Sequence, residues 1–176
     1  MKKVGIIGGS GYTGGELIRL VVNHPKLVLD FVFSTTRPGT PLYDTHVDLL
    51  GRSELSFTDN INLEVDVVFL CVGHGNSVEF LNKNQFSTQT IIIDLSNDFR
   101  LEKDAQFQEY DFVYGLPEYF VITGSDLISI LFLNVCMYFN LFLESTVSIS
   151  NIVEKIFVNL DPYPFLPPVI FFSFLS

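Results

Sequence analysis

The chain has 176 residues, a net charge of −10 and two cysteines, enough for one domain with a real core but short for a two-domain dehydrogenase. The acidic balance, without any basic cluster, excludes a polyanionic nucleic-acid partner. Cys71 and Cys136 supply neither a disulfide framework nor metal-ligand spacing, and Met1-Lys2-Lys3 runs straight into an apolar stretch with no cleavable leader, so a reducing cytoplasm is the expected compartment.

The first predicted strand covers 3–7 and the first helix 14–23, and between them lies Gly8-Gly9-Ser10-Gly11-Tyr12-Thr13-Gly14. Gly9-x-Gly11-x-x-Gly14 behind a strand and ahead of a helix meets the context of a dinucleotide-binding fingerprint. In that arrangement one glycine makes the turn, one lets the backbone approach a pyrophosphate and one lets helix and strand pack closely. A glycine-rich turn that binds nothing carries the same pattern.

Further strands are predicted over 27–34, 65–71, 90–95 and 112–114, with a second helix over 77–82. Apolar strands alternating with amphipathic helices imply an α/β fold with a parallel, doubly wound sheet, and its site falls where the loops leave the carboxyl ends of the strands. The second loop, Ser34-Thr35-Thr36-Arg37, ends in hydroxyls and a guanidinium while Asp30 lies inside the strand. These residue types favour a 2′-phosphate and hence NADP, unless the loop is only a solvated turn.

In the third loop two glycines, Gly73 and Gly75, flank His74 and let the backbone run close to a ligand. Ser77 is suited to capping the next helix, and His74 reads as a positioned loop histidine rather than a base. The fourth loop, Asp94-Leu95-Ser96-Asn97-Asp98-Phe99-Arg100, gathers a hydroxyl, carboxylates and a guanidinium at a strand end. Arg100 is placed either to clamp a carboxylate or phosphate or to pair with a nearby aspartate.

Near residue 119 the chain changes character. Up to Glu118 there are 25 charged residues, whereas 119–176 hold five: Asp126, Glu144, Glu154, Lys155 and Asp161. Half of the 18 phenylalanines lie there too. An uncharged run over 127–143 sits at the lower edge of bilayer-spanning length, yet it has no flanking basic anchors. The segment sustains neither helical nor strand periodicity, so an irregular apolar tail is expected, covering an exposed sheet edge only by accident.

Taken together, the glycine turn, Ser34-Thr-Thr-Arg37, Gly73-His-Gly75, Asp94 to Arg100 and Tyr114-Gly-Leu-Pro-Glu118 resemble the N-acetyl-γ-glutamyl-phosphate reductases of the semialdehyde dehydrogenase group. The resemblance covers 1–118 and implies a Rossmann-like NADP-binding domain there. It implies that Gly8, Gly9, Ser10, Gly11, Tyr12, Thr13 and Gly14 hold the cofactor and that Ser34 and Arg37 meet its 2′-phosphate. Gly73, His74, Gly75 and Ser77 would lie near the nicotinamide half, with Ser96 and Arg100 on the substrate side. The implied reaction reduces an acyl phosphate to a semialdehyde with release of phosphate, in an oligomeric cytoplasmic enzyme that has no membrane or nucleic-acid partner.

That chemistry needs a cysteine thiolate, which the family carries in an Asn-Pro-Gly-Cys motif soon after Gly-Leu-Pro-Glu. The motif is absent. Cys136 lies at roughly the expected distance but lacks the Pro-Gly turn, and no counterpart of the substrate-binding domain with its histidine follows. The expectation is therefore a truncated nucleotide-binding half over 1–118, with 119–176 a frame-shifted, noncoding or degraded extension. Two alternatives stand beside it: a catalytically silent NADP-binding module with an interacting or membrane-contacting tail, and a relative of aspartate-semialdehyde dehydrogenase or its lysine-pathway counterpart.

Overall fold

A computed structural model describes residues 1–114 and 169–171. Cys136, the 127–143 run and nearly all of the 119–176 tail lie outside the described residues.

The chain folds as β1 (Lys2–Ile7), α1 (Tyr12–Val22), β2 (Leu27–Phe33), β3 (Val67–Leu70), α2 (Asn76–Lys83) and β4 (Ile91–Asp94). A short helix α3 (Glu102–Ala105), a hairpin of β5 (Gln106–Phe107) and β6 (Tyr110–Asp111), β7 (Val113–Tyr114) and β8 (Val169–Phe171) complete the described part. The main sheet has the order β2-β1-β3-β4-β8-β7 and is parallel throughout. The edge of β4 expected to stay uncovered is thus paired with β8, which in turn pairs with β7.

Strand residues alternate between two apolar layers, as the two-residue period of a sheet requires. Val4, Ile6, Val67, Phe69 and Ile93 face one layer, where Leu17, Ile18 and Val21 of α1 pack on them. Ile7, Val68, Leu70 and Ile92 face the other, against Leu81 of α2 together with Phe86, Phe99 and Tyr110. Each fully buried aliphatic side chain contributes about 1.5 to 3 kcal/mol. Both faces of β1 and β3 are therefore buried, which is why those strands read as unbroken apolar runs rather than alternating ones.

From β1 the chain moves outward to β2, then crosses back to place β3 on the other side of β1. That reversal opens a crevice at the carboxyl ends of β1 and β3, the position where ligands bind in doubly wound sheets. The predicted elements all form, with shifted ends: α1 begins at Tyr12 rather than 14, and β3 is confined to Val67–Leu70. Two 3-10 turns, Leu42–Asp44 and Val47–Leu49, and the α3 to β6 segment have no periodic signal in the sequence. The stacked rings of Phe99 and Phe112, with centroids 3.8 Å apart, anchor that last segment.

Candidate functional site

The turn after β1 is built by its glycines. Gly8 has φ +79°, a left-handed conformation that suits glycine, and a Cβ there would stand 2.5 Å from the Cys71 carbonyl oxygen. At Gly14, in the first turn of α1, a Cβ would lie 2.6 Å from both the Gly8 oxygen and the Gly9 Cα. Helix and turn can therefore approach only without side chains at these positions. Gly8 and Gly9 donate their N–H groups to the Phe33 carbonyl at 3.0 and 3.1 Å, which pins the turn to the end of β2. Gly11 is the N-cap of α1, and neither a side-chain cap nor an acidic residue occupies that first turn. The helix start is thus electropositive and open to an anion. Tyr12 is exposed there and Thr13 half-buried.

Beside this turn lies a cavity of about 650 Å³ at the carboxyl ends of β1, β2 and β3. Gly8 and Ser10 form one wall, Ser34 to Thr36 another, and Val72 with Phe80 of α2 an apolar third. The Ser34 hydroxyl donates to that of Ser10 at 3.1 Å and lies 3.2 Å from that of Thr36, so three hydroxyls meet where the first two loops converge. Arg37 is exposed at the end of this loop, and its carbonyl accepts from Thr40. Asp30 stays within β2, where Asn62 donates to it at 2.8 Å and Lys3 lies 3.9 Å away. Asp59, Glu79 and Lys83 also border the cavity, the last two joined as an ion pair.

The third and fourth loops are tied together through buried polar groups. Ser77, fully buried inside α2, donates its hydroxyl to Asp94 at 2.6 Å, and Ser96 donates to the other oxygen of the same carboxylate at 2.6 Å. Burial pushes the Asp94 carboxyl up to about 6, against the hydrogen bonds from Ser77 and Ser96 that pull it down. The capping expected of Ser77 falls instead to Asp98, whose oxygens accept from the Gly75 N–H at 2.6 Å and the Ser77 N–H at 2.9 Å. Gly75 holds φ +85° at the N-cap, with Gly73 and His74 exposed before it. Arg100 is half-buried at the end of the fourth loop, its N–H bonded to the Asn97 carbonyl at 3.3 Å.

Asp98 links two loops that sequence reading treated separately. Replacing it with alanine strands two amide donors at the start of α2, and we expect a loss of about 1 to 2 kcal/mol. Urea unfolding checks this, and an unchanged midpoint contradicts it. The Cys71 thiol, packed against the core, is pushed up by burial and then by the nearby Asp94 charge, so it stays protonated and unreactive.

His46 went unrecognised in the sequence as a member of this site. Its buried ring places Nε2 2.8 Å from the Gly9 carbonyl and fills the space beside Gly15. With the partners 37 positions apart in sequence, no local pattern signals the contact.

A parallel sheet with a glycine turn at its switch point, and a cavity running from that turn to the next strand end, defines a Rossmann-type nucleotide-binding domain. The chain belongs to the semialdehyde dehydrogenase family, whose NAD-binding domain its residues 3–123 match. It is 63% identical over 118 residues to N-acetyl-gamma-glutamyl-phosphate reductase of Flavobacterium johnsoniae and 54% identical over 118 residues to that of Christiangramia forsetii. These alignments take in 67% of this chain and 36% of each relative, so the chain spans about a third of the length of the curated relatives it matches. In fold it is similar to the crystal structure of aspartate semialdehyde dehydrogenase with NADP from Candida albicans. That likeness has a TM-score of 0.50 at 19% identity, covering 66% of this chain and 34% of the other. Among the described residues no helix is long and apolar enough to cross a membrane.

Proposed function

We propose that this chain binds NADP(H) through the glycine turn and serves the reduction of N-acetyl-γ-glutamyl phosphate to the semialdehyde, with release of phosphate. The single observation that carries the cofactor half is the cradle at Gly8 and Gly14, where added side chains would collide with backbone, beside an uncapped helix start. The substrate half rests on the 63% identity to a protein named for that reaction.

In this reading the diphosphate lies on the start of α1, and the apolar wall of Val72 and Phe80 takes the adenine. Ser34 and Arg37 meet the 2′-phosphate. Asp30 is engaged by Asn62 and Lys3 inside the strand and so leaves the strand end to the hydroxyls. Gly73, His74 and Gly75 border the nicotinamide half, and Asp98 holds that loop against the start of α2. Ser77 and Ser96 act behind the loops, since their hydroxyls are spent on Asp94. Arg100 faces the substrate side. When bound, NADPH supplies the hydride for the carbonyl carbon. Orienting that cofactor and excluding water beneath it is the work assigned to these residues, in an enzyme of the cytoplasm acting on a small acyl phosphate.

Arg37→Ala tests the cofactor choice. Loss of a charge-assisted contact weakens NADP binding about tenfold to thirtyfold, while NAD binding stays within about twofold. Fluorescence titration of the reduced cofactors reads both. Equal weakening of the two sinks the 2′-phosphate assignment.

A further inference from the structure

The glycine turn is tied to a segment of chain that precedes β3 and has no helix or strand period. Residues 42–49 lie against α1 at two points. Asp48 accepts from Arg19 of α1 at 2.5 and 2.7 Å, with Glu16 completing the cluster. At the other point the His46 ring occupies the space that a side chain at Gly15 would need, and its Nε2 meets the Gly9 carbonyl at 2.8 Å. A carbonyl only accepts, so Nε2 carries the proton and donates.

The Gly9–Ser10 peptide is trans, as are all the described peptide bonds. In a trans peptide the carbonyl and the following N–H point in opposite directions. With the Gly9 carbonyl fixed on His46, the Ser10 N–H is aimed away from the histidine. Gly8 and Gly9 spend their N–H groups on Phe33, and Gly11 spends its own on Gly8. Of the four residues Gly8 to Gly11 that lead into α1, Ser10 is the one whose amide has no acceptor among the described residues, and it lines the cavity. A hydrogen bond to a peptide carbonyl also polarises that peptide and makes its N–H a stronger donor.

We propose that His46 is a positioning residue for the cofactor diphosphate, orienting and polarising the Gly9–Ser10 peptide so that the Ser10 N–H donates to a phosphate oxygen. This rests on the dinucleotide reading given above. His46 touches no reacting atom and acts through the peptide alone.

The test titrates the full chain, as wild type, His46→Leu and His46→Gln, with NADP and with adenosine 2′-monophosphate, which lacks the diphosphate. His46→Leu weakens NADP about tenfold, the effect of about 1.4 kcal/mol, and leaves adenosine 2′-monophosphate within about twofold. In His46→Gln the side-chain amide nitrogen takes the place of Nε2, and NADP binding returns to within about threefold of wild type. Equal weakening of both ligands, undiminished NADP binding in His46→Leu, or a glutamine variant no better than the leucine one overturns the proposal. Should the leucine variant fail to fold, His46→Asn, whose amide is too short to reach Gly9, carries the same expectation. Wild-type protein that binds adenosine 2′-monophosphate but not NADP, or neither, overturns the dinucleotide reading itself and this inference with it.

Discussion

Gly14→Ala is expected to weaken dinucleotide binding about a hundredfold and to lower stability by about 1 to 3 kcal/mol. The methyl group would stand 2.6 Å from the Gly8 oxygen and 2.6 Å from the Gly9 Cα, and both of those atoms belong to the backbone. No rotamer change relieves such a contact, so α1 must lift from the turn, at the cost typical of an overpacked site. Lifting α1 withdraws the start of the helix from the position a pyrophosphate occupies. Losing two charge-assisted hydrogen bonds of about 1.5 kcal/mol each corresponds to the hundredfold weakening. Calorimetric titration with NADPH alongside urea unfolding separates the two effects. A Gly14→Ala protein with wild-type affinity would show that the turn does not hold the phosphates.

The second large effect is on the pH dependence of stability and comes from Asp94. Its carboxyl titrates at about 6 when folded and at about 3.8 otherwise, because burial disfavours the charged form more than Ser77 and Ser96 favour it. The sign follows from the raised value: the unfolded chain releases this proton at lower pH than the folded one. Above about pH 6 the folded state therefore bears the full penalty of a buried charge, and the penalty fades as the pH falls toward about 4. Between about pH 7 and about pH 4 this one group makes the fold about 2 kcal/mol more stable. Urea unfolding of wild type and Asp94→Asn at those two pH values isolates the effect as a difference. Acidification should stabilise wild type relative to the variant by that amount, and parallel pH profiles would show that Asp94 does not titrate in this range.

Both predictions involve residues that the sequence singled out, but for different reasons. The glycine turn is legible because its constraint is local: strand, turn and helix follow each other within about 20 residues, and the spacing of Gly9, Gly11 and Gly14 carries the geometry. Spacing does not say which glycine is left-handed; it is Gly8, ahead of the three-glycine frame. Strands β1, β3 and β4 are legible because residues buried on both faces leave unbroken apolar runs.

What escapes the sequence depends on long-range pairs. The cap of α2 comes from Asp98, more than 20 residues away, and not from Ser77, which lies two residues past the N-cap Gly75 and faces Asp94. Residue type alone suits Ser77 to either role. The contact of His46 with Gly9 depends on how an irregular segment crosses α1, which no period records. The place of Val169–Phe171 beside β4 likewise has no local signal, because three apolar residues in an apolar stretch specify no partner.

The most direct test of an NADP(H) site at the glycine turn is a calorimetric titration of the full chain with NADPH and, separately, NADH. The account predicts saturable binding of NADPH, tighter than NADH by about tenfold or more, the effect of a guanidinium and hydroxyls on one added phosphate. Absence of saturable NADPH binding, or NADH binding as tightly as NADPH, would contradict it.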